Sequence, residues 1–139
     1  MVHALERARQ HLSDEHGRLV LLQPHRTRRP VIALRTAGRR VPVCALVNPV
    51  FQPLIDAANL SIQSVIDRGL FTLIARRDSS FRVRLANPTQ MRNYLHTGVR
   101  PPRFPRGGRQ RLEEAWKSRL PGAQIEVTEF LTVIALGAG

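Results

Sequence analysis

The sequence contains few of the residues on which the chemistry of small proteins usually depends. It has one cysteine, one tryptophan and one tyrosine, and aromatic residues make up 5% of its 139 positions. A lone Cys44 excludes an internal disulfide and a cysteine-rich zinc site, so we expect a reducing, cytoplasmic setting. We expect no membrane span, because no run of about 20 apolar residues occurs. The N-terminal segment is amphipathic and contains acids, which argues against a secretion signal.

The sequence patterns of several enzyme classes are also missing. There is no Gly-x-Ser-x-Gly sequence and no glycine loop of the kind that cradles nucleotide phosphates. His11 and His16 match no established metal-ligand spacing. Glu113 and Glu114 are adjacent, so on a helix they point about 100° apart and do not form a carboxylate pair. We therefore predict no catalytic residue, no cofactor-binding residue and no metal ligand.

Charge is what the sequence has in excess. There are 22 basic residues against 10 acidic ones, and Lys117 is the only lysine. Two long stretches lack acids altogether, one between Glu15 and Asp56 and one between Asp78 and Glu113. The arginines of the first stretch are Arg18, Arg26, Arg28, Arg29, Arg35, Arg39 and Arg40; those of the second are Arg82, Arg84, Arg92, Arg100, Arg103, Arg106, Arg109 and Arg111.

Acid-free arginine stretches of this kind favour contact with phosphates. The second stretch includes a proline-stiffened loop over residues 98–108, and one phenylalanine within it offers a surface for base stacking. The alternative is that both stretches are ordinary solvated loops. The candidate phosphate or nucleic-acid contacts are Arg100, Arg103, Phe104, Arg106 and Arg109.

The first 25 residues organise the predicted fold. Apolar residues at helical spacing, Leu5 and Leu12 among them, predict an amphipathic helix, and Gly17 suits the turn that follows. Residues 18–22 form a nearly continuous apolar run that Pro24 ends, as in a strand buried on both faces. A helix, a tight turn and a buried strand together predict half of a parallel α/β unit.

Local patterns predict the later elements as well. We predict a short helix at 30–35, a buried connector or short helix at 39–49, a helix at 53–68, strands at 70–75 and 81–85 joined by a turn, helices at 89–96 and 109–120, and a long strand at 124–136. Together these elements make one domain over residues 1–136, followed by a disordered tail at 137–139.

The segment ALERARQHLSDEHGRLVLLQP resembles the leader helix, turn and fifth strand of class I S-adenosylmethionine-dependent methyltransferases. The family pattern for the turn is L-x-P-G-G, and LSDEHG at residues 12–17 keeps only its last glycine. Further along, the phrases GLF, PPRFP and IEVTEFLTVIAL are similar to the tail of the same sheet.

This resemblance implies a partial Rossmann-like, methyltransferase-like three-layer α/β sandwich. Its sheet would be short and mixed, with an antiparallel C-terminal hairpin and flanking helices. The family's cofactor motifs lie upstream of the matching segment and have no counterpart here. We therefore expect a protein like the substrate-side half of the enzyme, inactive alone or part of a split or oligomeric enzyme. It would bind S-adenosylmethionine only if a partner completed the site.

Substrate contacts are expected where the first strand ends, because open α/β sheets bind ligands beyond the carboxyl ends of their strands. His25 occupies that position and is either a base or substrate contact, or an ordinary polar loop residue with no acid nearby in sequence. The candidate substrate-binding residues are His25, Arg26, Arg28 and Arg29.

Half of a parallel sheet would expose both an edge strand and an apolar face, which natural proteins rarely leave uncovered. We therefore expect a homo-oligomer or a protein partner that covers the open sheet. Two functions compete with the methyltransferase-like one: an arginine-rich nucleic-acid-binding module, and an accessory structural subunit that docks on a partner.

Overall fold

The structure is a computed structural model that describes residues 1–13, 16–98 and 101–139. It is a mixed α/β fold in which helices flank a five-stranded, antiparallel open sheet. In chain order the elements are α1 (Val2–Gln10), β1 (Arg18–Pro24), β2 (Val31–Thr36), β3 (Arg39–Ala45), α2 (Phe51–Asp67), β4 (Phe71–Leu85), α3 (Pro88–Leu95), α4 (Gly108–Lys117) and β5 (Gln124–Ala138).

The last strand, β5, organises the sheet because three other strands pair with it. Its first part pairs antiparallel with β2, with Val127 opposite Ile32. Its second part pairs antiparallel with β1, with Ile134 opposite Leu21. β4 also pairs with β5, and β3 extends the sheet beyond β2.

The chain divides into two compact units, and the single domain over residues 1–136 stays a prediction of the sequence. Unit 1 comprises residues 1–27, 50–79 and 131–139, and unit 2 comprises residues 28–49 and 80–130. β4 and β5 each contribute residues to both units.

The core of unit 1 lies between α1, α2 and one face of its strands. Its buried apolar side chains are Leu5, Ile62, Val65, Phe71, Ile134 and Leu136. In β1, Leu19 and Leu21 pack against this core, whereas Val20 and Leu22 are exposed. β1 therefore alternates between a buried and a solvated face, as strands of antiparallel sheets commonly do.

The core of unit 2 lies between α3, α4 and one face of its own strands. Its buried apolar side chains are Ile32, Leu34, Leu46, Leu85, Met91, Leu95, Leu112, Ile125 and Val127. The described helices of this unit thus cover one face of the sheet. Successive side chains of a strand point to opposite faces, so residues 33, 35, 82, 84, 126 and 128 lie on the other face.

Several of the predicted elements are confirmed. The amphipathic helix at the N-terminus is α1, and the helix predicted at 53–68 is α2. The helices predicted at 89–96 and 109–120 are α3 and α4. The final strand is β5, which extends two residues beyond the predicted end. Among the described helices, none is long and apolar enough to cross a membrane.

The helix predicted at 30–35 is wrong, because this segment is the strand β2, and residues 39–45 form β3 rather than a connector or helix. The two strands form an antiparallel hairpin with Thr36 opposite Arg39. Gly38 has a φ of 76° in the hairpin loop. A two-residue hairpin loop favours such a positive φ, and glycine adopts it without strain.

The strand pairing also differs from the prediction. β1 runs antiparallel to β5, so residues 1–24 are not half of a parallel α/β unit. β4 is one continuous strand with no turn at 76–80. It pairs with β5, but α3 and α4 come between the two strands in the chain, so they do not form a hairpin.

The end of the chain is part of unit 1 instead of the disordered tail that we expected. Gly137 and Ala138 belong to β5. The Gly139 N–H donates to the Leu70 carbonyl at 3.1 Å, and Arg9 Nη2 donates to the Gly139 carbonyl at 3.0 Å.

Candidate functional site

Glu126 is a fully buried acid on the face of unit 2 opposite to α3 and α4. Arg40 Nε donates to its Oε1 atom at 2.8 Å, and Arg35 Nη1 donates to its Oε2 atom at 3.2 Å. Arg82 Nε lies 3.9 Å from Oε1. We call Arg35, Arg40, Arg82 and Glu126 the arginine cluster.

The alternation of the strands places these side chains together. In β2, Leu34 packs in the core, so the adjacent Arg35 points to the opposite face, where it stands opposite Arg40 of β3. In β4, Val83 and Leu85 pack against the core, so Arg82 points away from it. The cluster thus gathers side chains from four strands.

Positive charge exceeds negative charge in the cluster, with three guanidinium groups around one carboxylate. The side chains of Arg35, Arg40 and Arg82 are 38%, 35% and 58% exposed. Arg40 Nη2 also donates to Thr128 Oγ1 at 3.2 Å. Each guanidinium has five N–H donors, of which these hydrogen bonds use only some. The cluster therefore presents oriented cationic donors to solvent.

The ionisation of Glu126 depends on its arginine partners. Burial alone would raise the pKa of this carboxyl group. The hydrogen bonds from Arg40 and Arg35 and the charge of Arg82 outweigh that effect and hold the pKa below its ordinary value. Glu126 is therefore an anion at neutral pH and fixes the arginines around it.

An aromatic side chain on the same strand adds to this face. Phe130 follows Glu126 by four positions in β5, so alternation places it on the same side of the sheet. The guanidinium of Arg28 lies over its ring, 5.2 Å from the centroid. Cation and ring therefore form a stacked pair in the same unit as the cluster.

The four predicted substrate-binding residues have separate surroundings. Arg28 stacks on Phe130 as described, and Arg29 is exposed. Arg26 Nε donates to Asp56 Oδ1 of α2 at 2.6 Å, and the two side chains form an ion pair.

His25 has an acid partner that the sequence did not indicate. Its Nε2 atom lies 3.2 Å from Oδ2 of Asp78, and its Nδ1 atom accepts the Thr27 N–H at 3.1 Å. Thr132 Oγ1 in turn donates to Oδ1 of Asp78. Both ring nitrogens are engaged within the fold, so this arrangement favours a structural role for His25 over that of a base.

The predicted nucleic-acid contacts in the loop over residues 98–108 also have separate surroundings. Arg103 exchanges two main-chain hydrogen bonds of 2.8 Å with Val47, and its side chain is exposed. Arg106 is exposed, and its carbonyl accepts a hydrogen bond from Arg111. Arg100 lies outside the described residues.

Phe104 is partly buried and packs against the core of unit 2. With Arg109 it lines a cavity of about 250 Å³ between α3 and α4. The other lining residues are Pro88, Met91, Arg92, Leu112 and Glu113.

Two further groups in unit 2 have shifted pKa values. Tyr94 on α3 donates its hydroxyl proton to the carboxylate of Glu129, and burial together with this hydrogen bond raises the pKa of the phenol. Burial likewise raises the pKa of the Cys44 thiol, against a smaller opposing effect of Arg111. A raised thiol pKa disfavours the nucleophilic thiolate form.

The acid-free stretches of the sequence contain all three cluster arginines, but the prediction missed the residue that joins them. The available signal was Glu126 itself, an acid between Ile125 and Val127 in a long apolar strand. A carboxylate at such a position is buried only when it is paired with cations or hydrogen-bond donors. Arginine is by far the most abundant cation in this sequence, so arginines were the expected partners.

No group of three or more His, Cys, Asp or Glu residues that could hold a metal ion occurs within residues 1–13, 16–98 and 101–139. No protein-family model, curated protein or solved structure matches the chain.

Proposed function

We propose that the protein is a nucleic-acid-binding module that contacts phosphates through the arginine cluster. The observation that carries the proposal is the buried carboxylate of Glu126, which holds arginines from three strands on one face of the sheet. Guanidinium groups bind phosphate oxygens through paired N–H donors, and their contacts to nucleic acid are mostly to the backbone. An anchored guanidinium loses less side-chain entropy on binding than a mobile one.

A purely structural role explains the composition of the arginine cluster less completely than anion binding does. A buried carboxylate needs hydrogen-bond donors, and Arg35 and Arg40 already supply them. Arg82 adds a third positive charge, and Arg84 points to the same face by alternation. The strands of unit 2 contain one further acid, Glu129, which is paired with Tyr94 of α3. The net positive charge of this face therefore supports an anionic ligand.

The test is fluorescence anisotropy with a labelled oligonucleotide at roughly 50 and 200 mM salt. The test variant is the double substitution Arg82→Gln and Arg84→Gln, which leaves both hydrogen bonds to Glu126 in place. We expect affinity to fall at least about tenfold. The slope of log affinity against log salt should flatten by roughly 0.7 to 0.9 for each phosphate that the variant no longer neutralises.

A matched control removes the same charge elsewhere. Arg7 on α1 and Arg77 on β4 are exposed residues of unit 1, and we expect Arg7→Gln with Arg77→Gln to weaken binding by less than about threefold. Equal reductions in affinity in the two double variants would mean that net charge alone attracts the oligonucleotide. That result, or no binding at low salt, would overturn the proposal.

The methyltransferase-like origin remains a prediction of the sequence, with S-adenosylmethionine bound only when a partner completes the site. Calorimetry of the purified chain with S-adenosylmethionine tests it, and micromolar binding would favour an enzyme over a binding module. The cytoplasmic setting predicted from the single cysteine likewise remains a prediction.

The predicted homo-oligomer or protein partner also remains a proposal, and it finds support in unit 1. Val20 and Leu22 lie on the face of β1 that points away from the core, and they are 59% and 71% exposed. Light scattering of the purified chain tests this proposal. A monodisperse monomer at high concentration would rule out the homo-oligomer and leave a different protein as the partner.

A further inference from the structure

We infer that the preferred ligand is single-stranded nucleic acid, with one base stacking on the Arg28–Phe130 pair. This inference rests on the proposed function, because it assumes that the arginine cluster binds the backbone. It adds a second contact of a different kind, directed at a base rather than a phosphate.

The width of the face argues against a duplex. The cluster draws side chains from β3, β2, β5 and β4, four neighbouring strands that together span about 14 Å. The DNA major groove is about 12 Å wide and admits a helix or a two-stranded ribbon. A four-stranded face cannot enter that groove, whereas a single strand of nucleic acid can lie across the face.

The Arg28–Phe130 pair supplies a stacking surface of the kind that bases of single-stranded nucleic acid use. Bases that are not paired stack on aromatic rings or on guanidinium planes, and this stacking tolerates any base. Arg28 lies over Phe130, and Phe130 shares a strand with Glu126. A strand that follows the cluster with its phosphates can therefore place a base on this pair.

Two other features of the fold are weaker candidates for an interaction site. The cavity of about 250 Å³ between α3 and α4 has Glu113 as well as two arginines in its lining, so its charge does not select an anion. β4 contains Arg76, Arg77, Arg82 and Arg84 against one acid, and this positive charge opposes pairing of β4 with a second copy.

The experiment compares three ligands of equal length, each roughly 12 nucleotides per strand. They are a single strand with all its bases, a single strand of abasic sites with the same number of phosphates, and a duplex. We expect the base-bearing single strand to bind best. The abasic strand should bind roughly 5- to 150-fold more weakly, the equivalent of one stacked base.

Two variants locate the stacking contact. Phe130→Leu keeps an apolar side chain but removes the ring, and Arg28→Lys keeps the charge but removes the planar guanidinium. We expect each to weaken binding of the base-bearing strand at least about fivefold and to leave the abasic strand unaffected. The two controls are Phe81→Leu and Arg7→Lys. Phe81 is an exposed phenylalanine of the same unit, and it lies two residues before Val83 in β4, so it shares the core face with Val83 and lies opposite to the face of Phe130.

The outcomes separate this inference from the proposed function. If the Arg82 and Arg84 double variant weakens all three ligands while the Phe130 and Arg28 variants weaken none, the nucleic-acid module stands and single-strand stacking is wrong. A duplex that binds as tightly as the single strand would also overturn the inference. If the double variant has no effect on any ligand, the proposed function itself fails.

Discussion

Arg40 Nε reaches Oε1 of Glu126 at 2.8 Å although their strands are not neighbours, because β2 lies between β3 and β5. The residue of β2 opposite Glu126 is Ala33, which is fully buried and small. Its short side chain leaves room for the longer arginine to cross the strand. The contact therefore depends on three strands being in register.

Replacing Glu126 by glutamine should destabilise the protein. The substitution keeps the shape of the side chain but removes the charge that Arg35 and Arg40 bind, and hydrogen bonds to charged groups contribute about 1.5–3 kcal/mol each. Because the arginines are partly exposed and regain water, we expect the free energy of unfolding to fall by about 1–3 kcal/mol.

Urea denaturation followed by Trp116 fluorescence measures this change, since the chain has one tryptophan. Glu113→Gln on α4 is the matched control and should change stability by less than about 0.5 kcal/mol. Equal stability of the Glu126 variant and the native protein would contradict an anchoring role for the carboxylate.

Acidification should remove the contribution of Glu126 to stability. A carboxyl group whose pKa is lowered by folding stabilises the native state above its unfolded pKa, near the ordinary value of 4.5. That stabilisation is lost as the pH falls through the lower, folded pKa. We expect the urea midpoint to decline below about pH 5 and to decline less steeply in Glu126→Gln. Parallel declines in the two proteins would show that other acids cause the effect.

Tyr94 should ionise well above the ordinary phenol pKa of 10.0. Burial disfavours the charged phenolate, and a hydrogen bond to an anionic acceptor stabilises the protonated form. The chain has one tyrosine, so phenolate absorbance reports this group alone. The titration should return to its ordinary position in concentrated urea and shift toward it in Glu129→Gln. A native protein that titrates near the ordinary value would contradict the observed hydrogen bond.

Cys44 should react slowly with thiol reagents. Its thiol is partly buried and its pKa is raised, so the thiolate is scarcer at neutral pH than in a free cysteine. We expect alkylation with iodoacetamide to be markedly slower in the native protein than in the urea-unfolded chain, and to accelerate as the pH rises. Native and unfolded chains that react at equal rates would show that the thiol is accessible and unperturbed.

The helices could be predicted from the sequence because their apolar residues repeat at helical spacing over two or more turns. Ile55, Ile62 and Val65 mark one face of α2 in this way, and all three are buried. Asn87 accepts a hydrogen bond from the Gln90 N–H at the start of α3, and asparagine is among the residues that favour this helix-capping position.

The strands were harder to predict, because a short apolar run does not reveal its partners. Residues 31–35 fit one helical turn as well as a strand, and only pairing with β3 and β5 decides between them. The continuous apolar run in β1 suggested burial on both faces, yet Val20 and Leu22 are exposed. The candidate site was hidden for the same reason, since Arg35, Arg82 and Glu126 meet only through long-range pairing.

The position of β5 in the chain also has a consequence for synthesis. It follows every other described element, yet β1, β2 and β4 all pair with it. During translation, β1, β2 and β4 therefore lack their shared pairing partner until residues 124–138 have left the ribosome. Long-range pairing of this kind is slow and leaves strand edges exposed to aggregation. Nascent chains stalled before residue 124 should accordingly be substrates for chaperones.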